Sequence, residues 1–195
     1  TVDEGQAVHA VLLRAGADRL IDLGTLGGSD SDARAINARG RVAGRATLAD
    51  GSGHGFVTGR RMTLRDLALN GTVQAINADG ALAGGLDRPG ETVGFISGID
   101  GTDLVTLPSL GGTITVAIAM NRHRVAVGLS TDANGRAHAF ITDPGGGGLR
   151  DLGLPGVDAV VRVAVGTVVG AVVDVGVLLA LGAPEIKELR RRIGR

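Results

Sequence analysis

Apolar and polar residues alternate in short runs along most of this chain, and each run stops at a cluster of Gly, Asn, Asp or Ser. Alternation with a period of two, broken so often, predicts β-strands rather than helices. In the first stretch the strands fall at about 9–14, 20–24, 33–37 and 41–46. Between the last two, Asn37-Ala38-Arg39-Gly40 reads as a hairpin loop, Asn closing an Asx-type turn and Gly supplying a positive φ. Asn77-Ala78-Asp79-Gly80 repeats it, with Gly80 in the place of Gly40. The third copy, Asn121-Arg122-His123-Arg124, has lost the glycine, so that loop must be strained or rebuilt.

The loops belong to a longer repetition. Asn37, Asn77 and Asn121 stand 40 and 44 residues apart, and Val163 follows at 42 in the fourth register. The segment that opens each unit reads HAVLL from His9, HGFVT from His54, VGFIS from Val93 and HAFIT from His138, with a degraded copy, VLLAL, from Val177. These steps alternate between 45 and 39, so one long and one short unit together span 84 residues. A duplicated two-unit block is the simplest origin. Units of this size cannot bury their own apolar face and must stack, as in propellers, solenoids or arrays. The fold predicted is therefore all-β: four blade-like, four-stranded units at about 9–53, 54–92, 93–137 and 138–176, plus a strand at 177–181, about seventeen strands in a single domain over 1–182. A β-propeller-like arrangement is preferred, with a β-solenoid or open stack of β-meanders as the alternative. An exposed strand edge invites aggregation, so closure would use residues 9–14 or 177–181.

Past residue 182 the pattern changes period. Pro184 at a first helical position, Glu185 and Glu188 early, basic residues 190–192 late, and Ile186, Leu189 and Ile193 on one stripe predict a short amphipathic helix or tail over 183–195. From 163 to 184 the only charge is Asp174. A lone Asp at mid-span costs ~2.5–3.5 kcal/mol on insertion scales, and the run is Val-rich with Gly166, Gly170 and Gly176. Two buried strands are expected there ahead of a membrane anchor.

Composition narrows the chemistry. With 34 Gly, no Trp or Tyr and three Phe, the core must be built from small and branched side chains. Phe56, Phe95 and Phe140 occupy one register and read as core, which leaves no aromatic platform for stacking sugars or single-stranded nucleic acid. Twenty basic and twenty acidic residues give no net field toward nucleic acid. Without Cys there is neither a disulfide nor a thiolate site, and the opening residues lack the basic and apolar regions of a signal peptide.

The histidines are the natural candidates for chemistry. His9, His54 and His138 precede Asp22, Asp66 and Asp151 by 13, 12 and 13 residues, a spacing that would pair them across a hairpin. The third unit loses both members together, having Val93 and Thr106, as expected of a hydrogen-bonded pair inside each blade. WD-repeat propellers carry a similar intrablade network, so a structural role is preferred to a catalytic one. Asp30-Ser31-Asp32 and Asp132-Ala133-Asn134-Gly135 are scraps of a calcium loop without its spacing or terminal acid. Gly51-Ser52-Gly53-His54-Gly55 precedes a strand, not a helix, and so is no phosphate cradle. A GxSxG elbow is missing. No metal, cofactor or catalytic residue is expected.

The motifs DLGTLGG (22–28), AIN followed by G (35–40 and 75–80) and HAF (138–140) resemble the HAF repeat family of bacterial extracellular proteins over about residues 9–181. The resemblance implies secretion or cell-surface display and a repetitive, propeller-like β fold, with no enzyme activity and no assigned ligand. Unit four departs from it, with Arg162 and Val163 where Ile and Asn stand elsewhere. The function expected is a non-catalytic extracellular scaffold or interaction module with a protein or carbohydrate partner, able to dimerise into a larger ring. The alternatives are a propeller-type lyase or hydrolase working from a central channel, and a membrane-anchored surface protein.

Overall fold

The computed structural model describes residues 7–59 and 62–153. The protein is all-β, with no α-helix among the described residues. Thirteen strands follow in order: β1 (Val11–Leu13), β2 (Leu20–Asp22), β3 (Gly27–Ile36), β4 (Val42–Leu48), β5 (Gly53–Thr58), β6 (Leu64–Ile76), β7 (Ala81–Arg88), β8 (Glu91–Ile99), β9 (Val105–Thr106), β10 (Gly111–Met120), β11 (Ala126–Asp132), β12 (Ala137–Thr142) and β13 (Leu149–Asp151), with a 3-10 turn at Pro144–Gly146. The expected strands of unit four beyond residue 153, the strand at 177–181, the apolar run at 163–184 and the helix at 183–195 lie outside the described residues.

β1 and β2 form a two-stranded ribbon. The remaining strands follow one hydrogen-bonded path, β13-β12-β11-β10-β8-β7-β6-β5-β4-β3, with β9 beside β8. The path is open, so these strands close no barrel. Three antiparallel meanders lie along it. The first is β3-β4-β5 with residues 64–70 of β6. The second is residues 71–76 of β6 with β7-β8-β9. The third is β10-β11-β12-β13, joined to the second through the parallel pair Ile114↔Thr92. β6 thus serves two sheets, and it bends between them where Ala68 (φ 52°) and Gly71 (φ 150°) leave the extended region.

The sheets are half a unit out of phase with the sequence units. Each unit boundary falls just after a tight Asp-Gly, Pro-Gly or Asn-Gly turn, at Gly51, Gly90 and Gly135, all with positive φ. Such turns join neighbouring antiparallel strands. They therefore pair the last strand of one unit with the first of the next, β4 with β5, β7 with β8 and β11 with β12. The longer stretch inside a unit carries the chain from one sheet to the following one.

Several contacts recur 84 residues apart. Val42 N–H donates to Thr58 Oγ1 and Ala126 N–H to Thr142 Oγ1, both at 2.9 Å. Asp30 N–H donates to Thr47 Oγ1 at 2.9 Å and Ile114 N–H to Thr131 Oγ1 at 3.1 Å. The register slips between Ala33 and Ala35 and between Ala117 and Ala119. Beside each bulge sits a glycine, Gly44 or Gly128, where a Cβ would run into the Asp32 or Val116 carbonyl oxygen. Gly84 meets the Thr72 carbonyl in the same way beside the slip between Val73 and Ala75.

These glycines also make room for the core. Gly44, Gly84 and Gly128 stand opposite Phe56, Phe95 and Phe140 in the ladder, the three largest fully buried side chains. Each phenylalanine anchors a separate cluster between layers: Phe56 with Ala10 and Leu23 of the ribbon side, Phe95 with Ala43 and Val57 of the first sheet, Phe140 with Ala83 and Ile96 of the second. Burying a phenylalanine contributes roughly 1.5–3 kcal/mol, so the few aromatics supply a large share of the contact between layers.

Candidate functional site

The Asn loops are hairpin turns built around one side chain. Asn37 Oδ1 accepts from the backbone N–H groups of Arg39 and Arg41, both at 3.0 Å. Asn77 Oδ1 accepts from Asp79, Gly80 and Ala81 at 3.0, 3.0 and 2.9 Å, and Asn121 Oδ1 from His123 and Val125 at 2.9 and 3.1 Å. The oxygen thereby replaces ladder bonds that the turn cannot make. The amide nitrogen does something the Asx-turn reading did not include. Asn37 Nδ2 donates to the Asn77 carbonyl at 3.1 Å, and Asn77 Nδ2 to the Asn121 carbonyl at 3.2 Å. The three loops form a relay from sheet to sheet. An aspartate would close the same turn but has no proton to donate, and the use of Asn at all three positions was the available signal.

Position four of each loop takes positive φ: Gly40 at 73°, Gly80 at 96° and, without a glycine, Arg124 at 59°. The third loop is thus strained rather than rebuilt. The Arg124 Nε is also buried without a hydrogen-bond partner.

All three His–Asp combinations are in contact. His9 Nδ1 lies 2.9 Å from Asp22 Oδ2, His54 Nδ1 3.0 Å from Asp66 Oδ1, and His138 Nδ1 2.9 Å from Asp151 Oδ2. In the ladder Asp22 faces Val11, Asp66 faces Phe56 and Asp151 faces Phe140. Each Asp is therefore the diagonal neighbour of its His, within reach of a long side chain. Each also binds the backbone two residues on, accepting from Gly24 at 2.8 Å, Ala68 at 2.7 Å and Gly153 at 2.6 Å. The His54 and His138 imidazoles are partly buried, with 22% and 28% of the side chain exposed, whereas His9 is an exposed residue. The His9 hydrogen bond, followed by the Gly24 N–H, holds the Asp22 carboxyl below its ordinary range.

The third unit keeps the backbone of this arrangement without its side chains. Phe95 faces Thr106 in the ladder, but Val93 stands where the imidazole would be. Val93 and Leu107 line a cleft of about 220 Å³ together with Arg88, Glu91, Thr92 and Ser109. Arg88 Nη1 and Glu91 Oε1 are 3.7 Å apart.

Ion pairs across sheets were invisible to the repeat pattern. Arg41 and Arg65 both bind Asp100, Arg65 Nη1 at 2.7 Å from Oδ2, and Arg45 Nη1 lies 3.1 Å from Asp87 Oδ2. They join residues 59, 35 and 42 apart in the chain, and no local signal marks such partners. The acidic scraps serve turns and strands: Asp132 Oδ1 accepts from Asn134 and Arg136, both at 2.8 Å, and Asp30 Oδ1 from Val8 at 3.2 Å. Those backbone donors hold the Asp132 carboxyl below its ordinary range, Arg136 N–H first, while for Asp30 the Ser29 hydroxyl is the larger cause. Among the described residues no three His, Asp or Glu side chains gather to hold a metal ion, and no helix is long and apolar enough to cross a membrane. No protein-family model matches this sequence, and neither does any curated protein.

Proposed function

We propose that this chain is a non-catalytic β-repeat scaffold of the HAF type, working outside the cytoplasm or at the cell surface, whose stacked sheets are the blades of a propeller-like array. Its task is to hold loops rigidly for a protein or carbohydrate partner. One observation carries the reading: each His–Asp pair is engaged within a single antiparallel hairpin, its Asp also binding the backbone two residues on. A propeller-type lyase or hydrolase would need imidazole and carboxylate groups turned on one shared cavity. Here the three imidazoles belong to the ribbon, the first sheet and the third sheet. The extracellular setting rests on the motifs at 22–28, 35–40, 75–80 and 138–140.

A double-mutant cycle tests it. For half-exposed partners such as His54 and Asp66, urea melts of His54→Ala, Asp66→Ala and the double variant are expected to give a coupling of about 0.5–1 kcal/mol. Strictly additive losses, or single variants as stable as the parent, would sink the structural reading and return the histidines to candidate catalysts.

A further inference from the structure

The connection between β12 and β13 holds the only Asp-Pro bond in the sequence, Asp143–Pro144, and Gly145 to Gly148 follow it. Pro suits the second place of a tight turn, and Gly145 takes the left-handed values φ 79° and ψ 3° that the third place demands. Gly146 N–H then donates to the Asp143 carbonyl at 3.0 Å. The backbone on either side is pinned as well: Asp143 N–H donates to the Gly148 carbonyl at 3.1 Å, and Gly145 N–H to the carbonyl of Arg124 in the third Asn loop at 3.0 Å. Gly146 is buried, and a Cβ there would come within 3.0 Å of Leu107 and 3.2 Å of Ile96. The turn is held firmly from several sides.

The Asp143 side chain is left out of that network. Asp22, Asp66, Asp132 and Asp151 each accept the N–H of the residue two places on, whereas the Asp143 carboxyl makes no such bond to the turn it opens. The residue is exposed. Its carboxyl lies over Gly148, where a Cβ would run into Oδ2. The side chains behind the turn, Ile96 and Leu107, carry no charge, and Arg124 meets it through a backbone carbonyl. Among the described residues no cation forms an ion pair with Asp143.

We propose that Asp143–Pro144 is a site of self-cleavage in acid. In its acid form the Asp143 carboxyl adds an oxygen to its own backbone carbonyl carbon, closing a five-membered ring. The carbon–nitrogen bond to Pro144 breaks, the carboxyl's proton passes to the departing nitrogen, and a cyclic anhydride is left at Asp143. One water molecule opens the anhydride to two carboxyls, the side chain's and a new C-terminal one, so a peptide bond is hydrolysed and nothing is oxidised or reduced. Nucleophile and carbonyl belong to one residue, which makes the attack intramolecular. Proline's nitrogen leaves as a secondary amine, a better proton acceptor than the amide nitrogen of another residue. Gly146 N–H already bonds the oxygen on which charge develops. After the cut, β13 is held by its three ladder pairs with β12 and by His138 to Asp151.

The test incubates the full chain at the lowest pH at which its far-ultraviolet circular dichroism still matches that at neutral pH. Intact-mass spectrometry should show two complementary fragments, 1–143 and 144–195, the second beginning at Pro144. Asp143→Asn keeps the shape of the side chain without its acid, and that chain should stay whole. Unfolding the parent in guanidinium chloride at the same pH removes the Gly146 hydrogen bond, and cleavage there should be at least ~10-fold slower. The proposal is overturned if no fragments appear, if the Asp143→Asn chain is cut equally, or if the unfolded chain is cut as fast as the folded one. The last result would reduce the site to the ordinary acid lability of the dipeptide. None of these outcomes touches the His54–Asp66 coupling, so the two readings fail separately.

Discussion

The Asn turns and the His–Asp pairs sit in the same sheets, yet they differ in what they join. Each Asn binds its own turn, and two of the three also reach the next sheet, Asn37 to Asn77 and Asn77 to Asn121. Each His–Asp pair stays inside one hairpin. The third unit has lost His and Asp, at Val93 and Thr106, and has kept its Asn even where the glycine of the turn became Arg124. A contact within one hairpin can be dropped at the cost of that hairpin alone. A contact in the relay is shared by two sheets; Asn121 contributes its carbonyl to it and its side chain to its own turn, whose fourth residue, Arg124, carries a backbone strain of roughly 1–2 kcal/mol for a left-handed non-glycine residue.

The sharpest way to break this contrast is Asn77→Asp. The turn keeps its three backbone donors, but the donation to the Asn121 carbonyl is lost at a buried position, and unfolding experiments should show a loss of about 1–3 kcal/mol. Asn121→Asp should cost less, because its Nδ2 has no acceptor among the described residues. Equal losses at the two positions would mean that the turn, and not the relay, is what matters.

Next in size is the fourth loop position. Arg124→Gly relieves the positive φ and removes a buried Nε without a partner, and thermal melts should show a gain of about 1 kcal/mol. Gly80→Ala, which forces φ 96° on a residue with a Cβ, should lose a similar amount. A third loop that gains nothing from glycine would show that the Arg124 side chain contributes packing worth as much as the strain.

The smallest effect belongs to the pairs within hairpins and is read by pH. The folded state depresses the Asp22 carboxyl, through His9 first and then Gly24. Its contribution is therefore complete above the unfolded value of about 3.9 and disappears as pH falls through the lower folded value. Melts of Asp22→Asn should lie below the parent above that unfolded value, and the gap should narrow as the pH falls below it. A gap that persists unchanged into acid would assign the role of Asp22 to shape and not to charge.

Local pattern carried the strands, the Asn-Gly turns and the His–Asp partners, because each depends on residues near in sequence or on a fixed spacing across one hairpin. The joint replacement of His and Asp by Val93 and Thr106 was informative for the same reason. Sheet membership did not follow from the pattern. Leu64–Ile76 reads as two strands of one unit, and only the bend at Ala68 and Gly71 lets one continuous strand leave the first sheet and enter the second. The Arg41–Asp100–Arg65 cluster was equally hidden, since its members meet only through the stacking of sheets. The relay lay between these cases: its turn half was readable, while its donor half required two loops 40 residues apart to lie side by side.

β6 gives the molecule an uneven seam. The first and second sheets share a covalent strand and are tied by Arg41 to Asp100 and Arg45 to Asp87, so neither can open without bending the other, and they must melt as one cooperative block. The second and third sheets share no strand. They meet through the parallel pair Ile114↔Thr92, the Asn77 amide and the Phe140 cluster, and among the described residues no ion pair crosses between them. Sub-global opening separates a fold where the fewest bonds cross. Of the two junctions that join the three sheets among the described residues, the one between β8 and β10 has no shared strand and no ion pair, so the third sheet is expected to open before the first two part.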